Sequence, residues 1–198
     1  MNQVDEVLQA IVDDDKRARD VILRLRALLL NEKPSREPLD FNGLLQEVAG
    51  IARADLTVHG ISVVWSLSRG LPQVTADRVQ LQQVVLNLVL NACDAMQDEP
   101  RGTRRLVLTS ERNSDDGVRV RVSDSGHGIR QPNLNQIFEP FVTSKPRGLG
   151  LGLAICSSIV SAHGGRLWAE NNAVRGATIC LELPASGAQR DSSSQTVA

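Results

Sequence analysis

The chain has 198 residues, 41% of them hydrophobic, and its 22 Lys and Arg against 23 Asp and Glu leave a formal charge of −1 at pH 7. That length allows one domain of ordinary size plus an appendage, and the near-neutral charge offers no general attraction to nucleic acid or to an anionic membrane surface. No run approaches the ~18 uninterrupted apolar residues of a membrane span, no signal peptide opens the chain, and the lack of tyrosine removes chemistry that needs a phenol. Cys93, Cys156 and Cys180 stand far apart in apolar runs, which reads as buried thiols in a reducing compartment, with no metal spacing.

In chain order, residues 3–30 predict one long helix. Val4, Leu8, Ile11, Ala18, Ile22, Leu25 and Leu29 recur at three-four spacing, the seam of a coiled coil or bundle. Such a helix needs a partner from another chain or segment, or else packs on the domain that follows. The polar "NEKPSREP" at 31–38, with two prolines, ends it and reads as a linker. Residues 39–60 carry Leu44, Leu45, Val48, Ile51, Ala52 and Leu56 at helical spacing, and "ISVVWSL" at 61–67 reads as a strand. A capping signal at Thr75 or Asp77 opens a helix running to about Met96. "RRLVLTSERN" and "GVRVRVSDSG" are strands joined by the turn-former Ser114-Asp115-Asp116-Gly117. "LGLAICSSIVSAHGG" is a helix closed by two glycines, and "RLWAENN" and "ATICLELP" are the last strands, turning at Arg175-Gly176. The strands alternate apolar and polar residues, which predicts a two-layer α/β sandwich with a mixed sheet. The expected divisions are a helix over 1–31, a linker over 32–38, a domain over 39–184 and a disordered polar tail over 185–198.

Three constellations could carry chemistry. On the helix "QLQQVVLNLVLNACDA", Asn87 and Asn91 share one face, with Gln83 a turn earlier and Asp94 close by. Amides on so apolar a helix need partners. They either cap neighbouring loops or offer oxygens to a hard cation such as Mg²⁺, which takes its other ligands from water and phosphate. In "VSDSGHGI", Asp124 ends a strand ahead of Gly126 and Gly128. A carboxylate there can accept from an exocyclic amine, and the glycines let a flat ring approach the backbone. His127 between them reads as a solvent-facing loop residue. Last, Gly148-Leu149-Gly150-Leu151-Gly152 runs straight into a helix, with Lys145 and Arg147 just upstream. Bare N–H groups at a helix N-terminus bind phosphate oxygens, and the spacing is not that of a P-loop. Between the glycine clusters, Phe138 and Phe141 would pin a mobile flap over a nucleotide or anchor the core.

The order of these signals resembles the N, G1, F and G2 boxes of the ATP-binding domain of sensor histidine kinases, in the wider GHKL family shared with DNA gyrase, the Hsp90 chaperone and MutL, over roughly residues 36–184. "IFEPFVTSK" and "GLGLGLAICSSIVSAHGGRLWAENN" resemble the oxygen- and nitrogen-responsive kinases, and "DDDKRARDVILRLRALL" resembles the second helix of their dimerisation domain. The resemblance implies that Asp124 holds the adenine amine and that Gly126, Gly128 and Ile129 shape the base pocket. Asn91 and Asn87 would hold Mg²⁺, beside Asp94. Gly148, Leu149, Gly150, Leu151 and Gly152 would wrap the phosphates of ATP. Lys145 would sit near the terminal phosphate and act with Asn87 in catalysis, and Thr178 would join the water network around adenine. It further implies a cytoplasmic kinase with a response-regulator partner and a homodimer through the N-terminal helix.

The chain departs from the pattern in its histidines. His59, His127 and His163 are the only three, and none lies where an acceptor helix would put it. The expected reading is a chain that begins after the acceptor, or a version whose acceptor lies elsewhere. An anti-sigma-type serine kinase or nucleotide-gated scaffold also lacks that histidine, but has no dimerisation helix of this kind. The chaperone and mismatch-repair ATPases carry a catalytic Glu where Asn87 stands.

Overall fold

The computed structural model describes residues 35–130, 134–143 and 149–186; the expected N-terminal helix and the polar tail beyond 186 lie outside the described residues. The described part builds two layers, helices on one side and a five-stranded sheet on the other, as the alternation of the strands requires.

The first element differs from expectation. The stretch read as linker ends in a strand, β1 (Arg36–Leu39), paired antiparallel with β3 (Val74–Asp77) so that Arg36 faces Asp77 and Leu39 faces Val74. Pro38 suits this position because each strand of a two-stranded ribbon has one side that needs no donor. Leu39 is buried. Asp40 then caps α1 (Phe41–Ile51), its carboxylate accepting from the Asn42 N–H at 3.0 Å. Phe41, Leu44, Leu45 and Val48 make the apolar stripe that α1 buries. The periodicity from 39 to 60 is not one helix: the backbone breaks at Ala52, where ψ is 0°, and resumes as α2 (Arg53–Val58). Gly50 in the last turn of α1 weakens helix there.

After β2 (Ser62–Leu67), Asp77 ends β3 and caps α3 (Arg78–Ala95), accepting from the Gln80 N–H at 3.0 Å. Leu81, Val84, Val85, Leu88 and Val89 are all buried, so α3 forms the spine of the core. β4 (Arg105–Arg112) and β5 (Val118–Asp124) form the expected hairpin; Asn113 Oδ1 accepts from the N–H groups of Asp115 and Gly117 at 3.1 and 2.6 Å. β6 (Arg166–Asn171) and β7 (Ala177–Leu183) complete a sheet of order β2-β4-β5-β7-β6. β2 runs parallel to β4 and every other pair is antiparallel, so the sheet is mixed.

Leu106, Leu108, Val118, Val120, Val122 and Leu181 face the helices. The outer face is polar. Buried Glu182 accepts from Arg119 and Arg166, and Arg166 and Arg119 flank the Trp168 ring at 4.7 and 5.8 Å from its centroid. Burial pushes the Glu182 carboxyl up, but the hydrogen bonds and charges of the two guanidinium groups outweigh it and hold the group below the ordinary value.

The last helix, α4 (Gly152–Ala162), ends at Gly164 and Gly165 as expected. Gly164 is left-handed with φ +72°, and a Cβ on Gly165 would fall 2.2 Å from the Glu182 carbonyl oxygen. The buried His163 ring joins this end to the start of α3: Nδ1 donates to Ile159 O at 2.8 Å and Nε2 accepts from the Asp77 N–H at 3.0 Å. Its role is structural. Among the described residues no helix is long and apolar enough to cross a membrane.

Candidate functional site

One face of α3 is the platform of the site. Asn87, Asn91 and Ala95 succeed one another at four-residue spacing and therefore lie along one side. At Asn87 the face meets the start of α4: the amide nitrogen donates to Cys156 Sγ at 3.2 Å, and a Cβ on Gly152 would fall 2.8 Å from it. At Ala95 it meets the loop after β5. The Ala95 carbonyl accepts from the His127 N–H at 3.3 Å, and a Cβ on Gly126 would lie 2.2 Å from that oxygen. The helical rise separates the two contacts by about 12 Å, with Asn91 midway. The sequence's two glycine clusters thus land on one helix face about two turns apart. Asp94, one residue before Ala95, accepts from Gln97 at 2.9 Å.

Asp124 terminates β5. Its Oδ1 accepts from the Gly126 N–H at 2.8 Å and the Ala177 N–H at 3.3 Å, while Oδ2 takes no hydrogen bond from the described residues. Burial raises the carboxyl above its ordinary value, opposed by those backbone N–H groups and by the nearby His127 charge. Gly128, at φ +73°, turns the loop where a side chain would be strained. His127 is exposed, as expected, and its Nδ1 lies 2.6 Å from Gly128 O.

Two residues missed in the sequence hold this loop. Asn171 Oδ1 accepts from the Ile129 N–H at 2.8 Å and its Nδ2 donates to Ile129 O at 2.7 Å. Asn172 Nδ2 donates to Asp124 O at 2.8 Å. The doubled asparagine at a strand end, ahead of a glycine turn, was the available signal. Glu99, buried just beyond α3, pairs with Arg175 and ties down the same turn.

Thr178 lies one residue beyond the β7 position that meets Asp124. Strand alternation puts it opposite Ser123, not Asp124, on the polar face of the sheet. Its hydroxyl lies 2.7 Å from Ser123 Oγ and donates to Asn172 Oδ1 at 2.6 Å. It is joined to Asp124 through Asn172, whereas the backbone contact from β7 to the Asp124 carboxylate comes from Ala177.

At the other end Gly150 is left-handed (φ +63°), and a Cβ there would lie 2.6 Å from both Phe141 C and Val142 O. Its carbonyl accepts from the Phe141 N–H at 3.0 Å. Leu151 precedes α4 with no side-chain cap, which leaves the first N–H groups of α4 to an outside acceptor. Leu149 is exposed and Phe138 half-buried. Phe141 is 75% exposed at φ +69°, so it is not a core anchor. Lys145 and Gly148 lie outside the described residues. No group of three or more His, Cys, Asp and Glu that could hold a metal occurs among the described residues. The donor set nearest the platform is oxygen from amides: Asn87, with its nitrogen on Cys156, keeps Oδ1 as an acceptor. That chemistry fits a hard divalent ion that takes its remaining ligands from phosphate and water.

The sequence profile of the histidine kinase-, DNA gyrase B- and HSP90-like ATPases matches residues 76–187. The chain belongs to this ATPase family. The sensor protein FixL of Bradyrhizobium diazoefficiens is 38% identical over 183 residues, 92% of this chain and 36% of FixL. The chain thus spans about a third of that relative's length. The structure of full-length ShkA in complex with AMPPNP is 32% identical at a TM-score of 0.71, over 84% of this chain and 34% of ShkA. The histidine kinase ThkA in complex with the response regulator TrrA is 26% identical at a TM-score of 0.75, over 93% of this chain and 52% of that one. The ATPase domain is therefore homologous to the catalytic domain of sensor histidine kinases, which favours that reading over the serine-kinase alternative.

Proposed function

We propose that this chain binds Mg·ATP across the α3 face and presents the γ-phosphate to a histidine supplied by another segment or chain. The observation that carries the reading is the seating of both glycine loops on one helix face, with Asp124 at one end and the uncapped start of α4 at the other. Asp124 Oδ2 accepts from the exocyclic amine of adenine, while Gly126, Gly128 and Ile129 wall the base. The N–H groups around Gly150 and Gly152 take phosphate oxygens, and Lys145 offsets charge on the terminal phosphate. Asn87 and Asn91 would hold Mg²⁺, which when bound supplies neutralisation of the phosphate charge.

The acceptor imidazole nitrogen forms its bond to the γ-phosphorus as the bond to the bridging oxygen breaks and ADP leaves. Catalysis is then positioning and electrostatics. An amide at position 87 cannot act as general base for water, so transfer to protein is favoured over hydrolysis. The N-terminal helix over 1–31 belongs to a dimerisation bundle that supplies the second copy, a response regulator takes the phosphoryl group onward, and the protein works in the cytoplasm. Calorimetry with Mg²⁺ and AMPPNP tests the binding step. Mixing the chain with a separate acceptor-helix peptide and ATP tests transfer, which should label the peptide. Labelling of His59, His127 or His163 would contradict it.

A further inference from the structure

We propose that Asn171 and Asn172 form a clamp that fixes both ends of the Asp124–Ile129 loop and thereby sets recognition of the adenine amine. The inference rests on the nucleotide reading above and adds to it the positioning residues of the base end.

The two side chains divide the work. Asn172 holds the Asp124 end. Its Nδ2 bonds Asp124 O at 2.8 Å and Arg175 O at 3.1 Å, its Oδ1 accepts from Thr178, and its own N–H bonds Gly176 O at 2.9 Å. The Asp124 peptide is thus locked to the β6–β7 turn, the same turn whose Ala177 N–H bonds the carboxylate. Gly176 makes this approach possible, because a Cβ there would lie 2.0 Å from Asp124 O. Asn171 holds the Ile129 end. Its amide meets both peptide groups of Ile129, as a neighbouring strand would, at 2.8 and 2.7 Å. The amide supplies a donor and an acceptor on two separate atoms, which lets it meet both peptide groups at once.

Between the clamped ends, Gly126 and Gly128 contribute no side chains and His127 is exposed. Glycines leave the loop with more freedom to lose than other residues would, so the direction of Asp124 Oδ2 depends on the two ends being held. The phosphate end is anchored separately, by Phe141 and Asn87, about 12 Å away along α3. Releasing the clamp should therefore weaken selection of the amine and leave phosphate binding in place. If the asparagines merely close a turn, their loss would lower stability without touching base preference.

The experiment uses the whole chain with Mg²⁺ and compares ATP with purine riboside triphosphate, which lacks the exocyclic amine. The wild type should prefer ATP. Asn171→Ala and Asn172→Ala should each reduce that preference by about tenfold, through weaker ATP binding with little change for the amine-free nucleotide. Asn171→Asp keeps the acceptor for the Ile129 N–H and loses the donor, so its preference should lie between; it also serves if the alanine variants fail to fold. In the nucleotide-free wild type, the Ile129 N–H should be protected from hydrogen exchange. A folded variant that retains the wild-type preference, or an Ile129 N–H exchanging at the rate of an unstructured peptide, overturns the clamp. A wild type that binds neither nucleotide, or both equally, refutes the nucleotide or adenine assignment itself.

Discussion

Asp124 shows what one residue does when its surroundings are fixed. One carboxylate oxygen is spent on two backbone N–H groups and the other is left for a ligand. Asp124→Asn offers an amide nitrogen or a neutral oxygen in place of the charged acceptor. It should weaken AMPPNP by about tenfold to a hundredfold in calorimetry; unchanged affinity would remove the adenine assignment. The pH dependence follows from the same site. Burial raises the carboxyl, so on acidification it takes up its proton before an ordinary carboxylate does, and a protonated carboxyl no longer accepts in full from the amine. Affinity should fall as the pH drops through that raised value, and Asp124→Asn should lack that step. Asp124, Gly126, Asn87 and Gly152 were legible because their types are unusual for their places: a carboxylate closing an apolar strand, amides on an apolar helix. The contact of Ala177 with Asp124 was not legible, because it is made through the backbone and backbone contacts leave no trace in residue type. The asparagines at 171 and 172 read only as the end of a strand.

Among the elements, α3 does most to make the site, being the core's spine and the platform for both loops. Its packing explains why glycine is required where the base loop meets it. Gly126→Ala puts a methyl 2.2 Å from the Ala95 carbonyl oxygen, where only backbone could move. It should cost about 1–3 kcal/mol in urea denaturation and displace the base loop. At its N-terminus α3 relies on its Asp77 cap and on the His163 ring behind it. His163→Ala removes the acceptor for the buried Asp77 N–H and should cost about 1–3 kcal/mol in the same assay; wild-type stability would show that the bond is dispensable. Long elements with a clear period, α3 and the β4–β5 hairpin above all, were readable from the sequence. β1 and β3 were not, because four residues show too little alternation and Pro38 argues against a strand until its two-stranded partner is known. The break at Ala52 was equally silent, since the apolar spacing continues across it.

For the molecule as a whole, the layered fold holds the two ends of the site at a fixed separation, and the outer sheet face contributes stability that depends on pH. Glu182 sits below the ordinary carboxylate value because Arg119 and Arg166 bind its charged form. That stabilisation is present above the unfolded-state value and is lost as pH falls through the lower folded one. Glu182→Gln should lower the melting temperature at pH 7 and flatten its decline on acidification; an unchanged acid profile would show that the pair does not contribute.

The central claim is that one nucleotide bridges the two glycine loops along α3. Amide chemical shifts of the ¹⁵N-labelled chain, titrated with Mg²⁺ and AMPPNP and separately with adenosine, test it most directly. The account predicts that AMPPNP perturbs Gly126, Gly128 and Ile129 together with Gly150 and Gly152, and that adenosine perturbs the first group alone. Shifts confined to one loop under AMPPNP, or none at either, would contradict it.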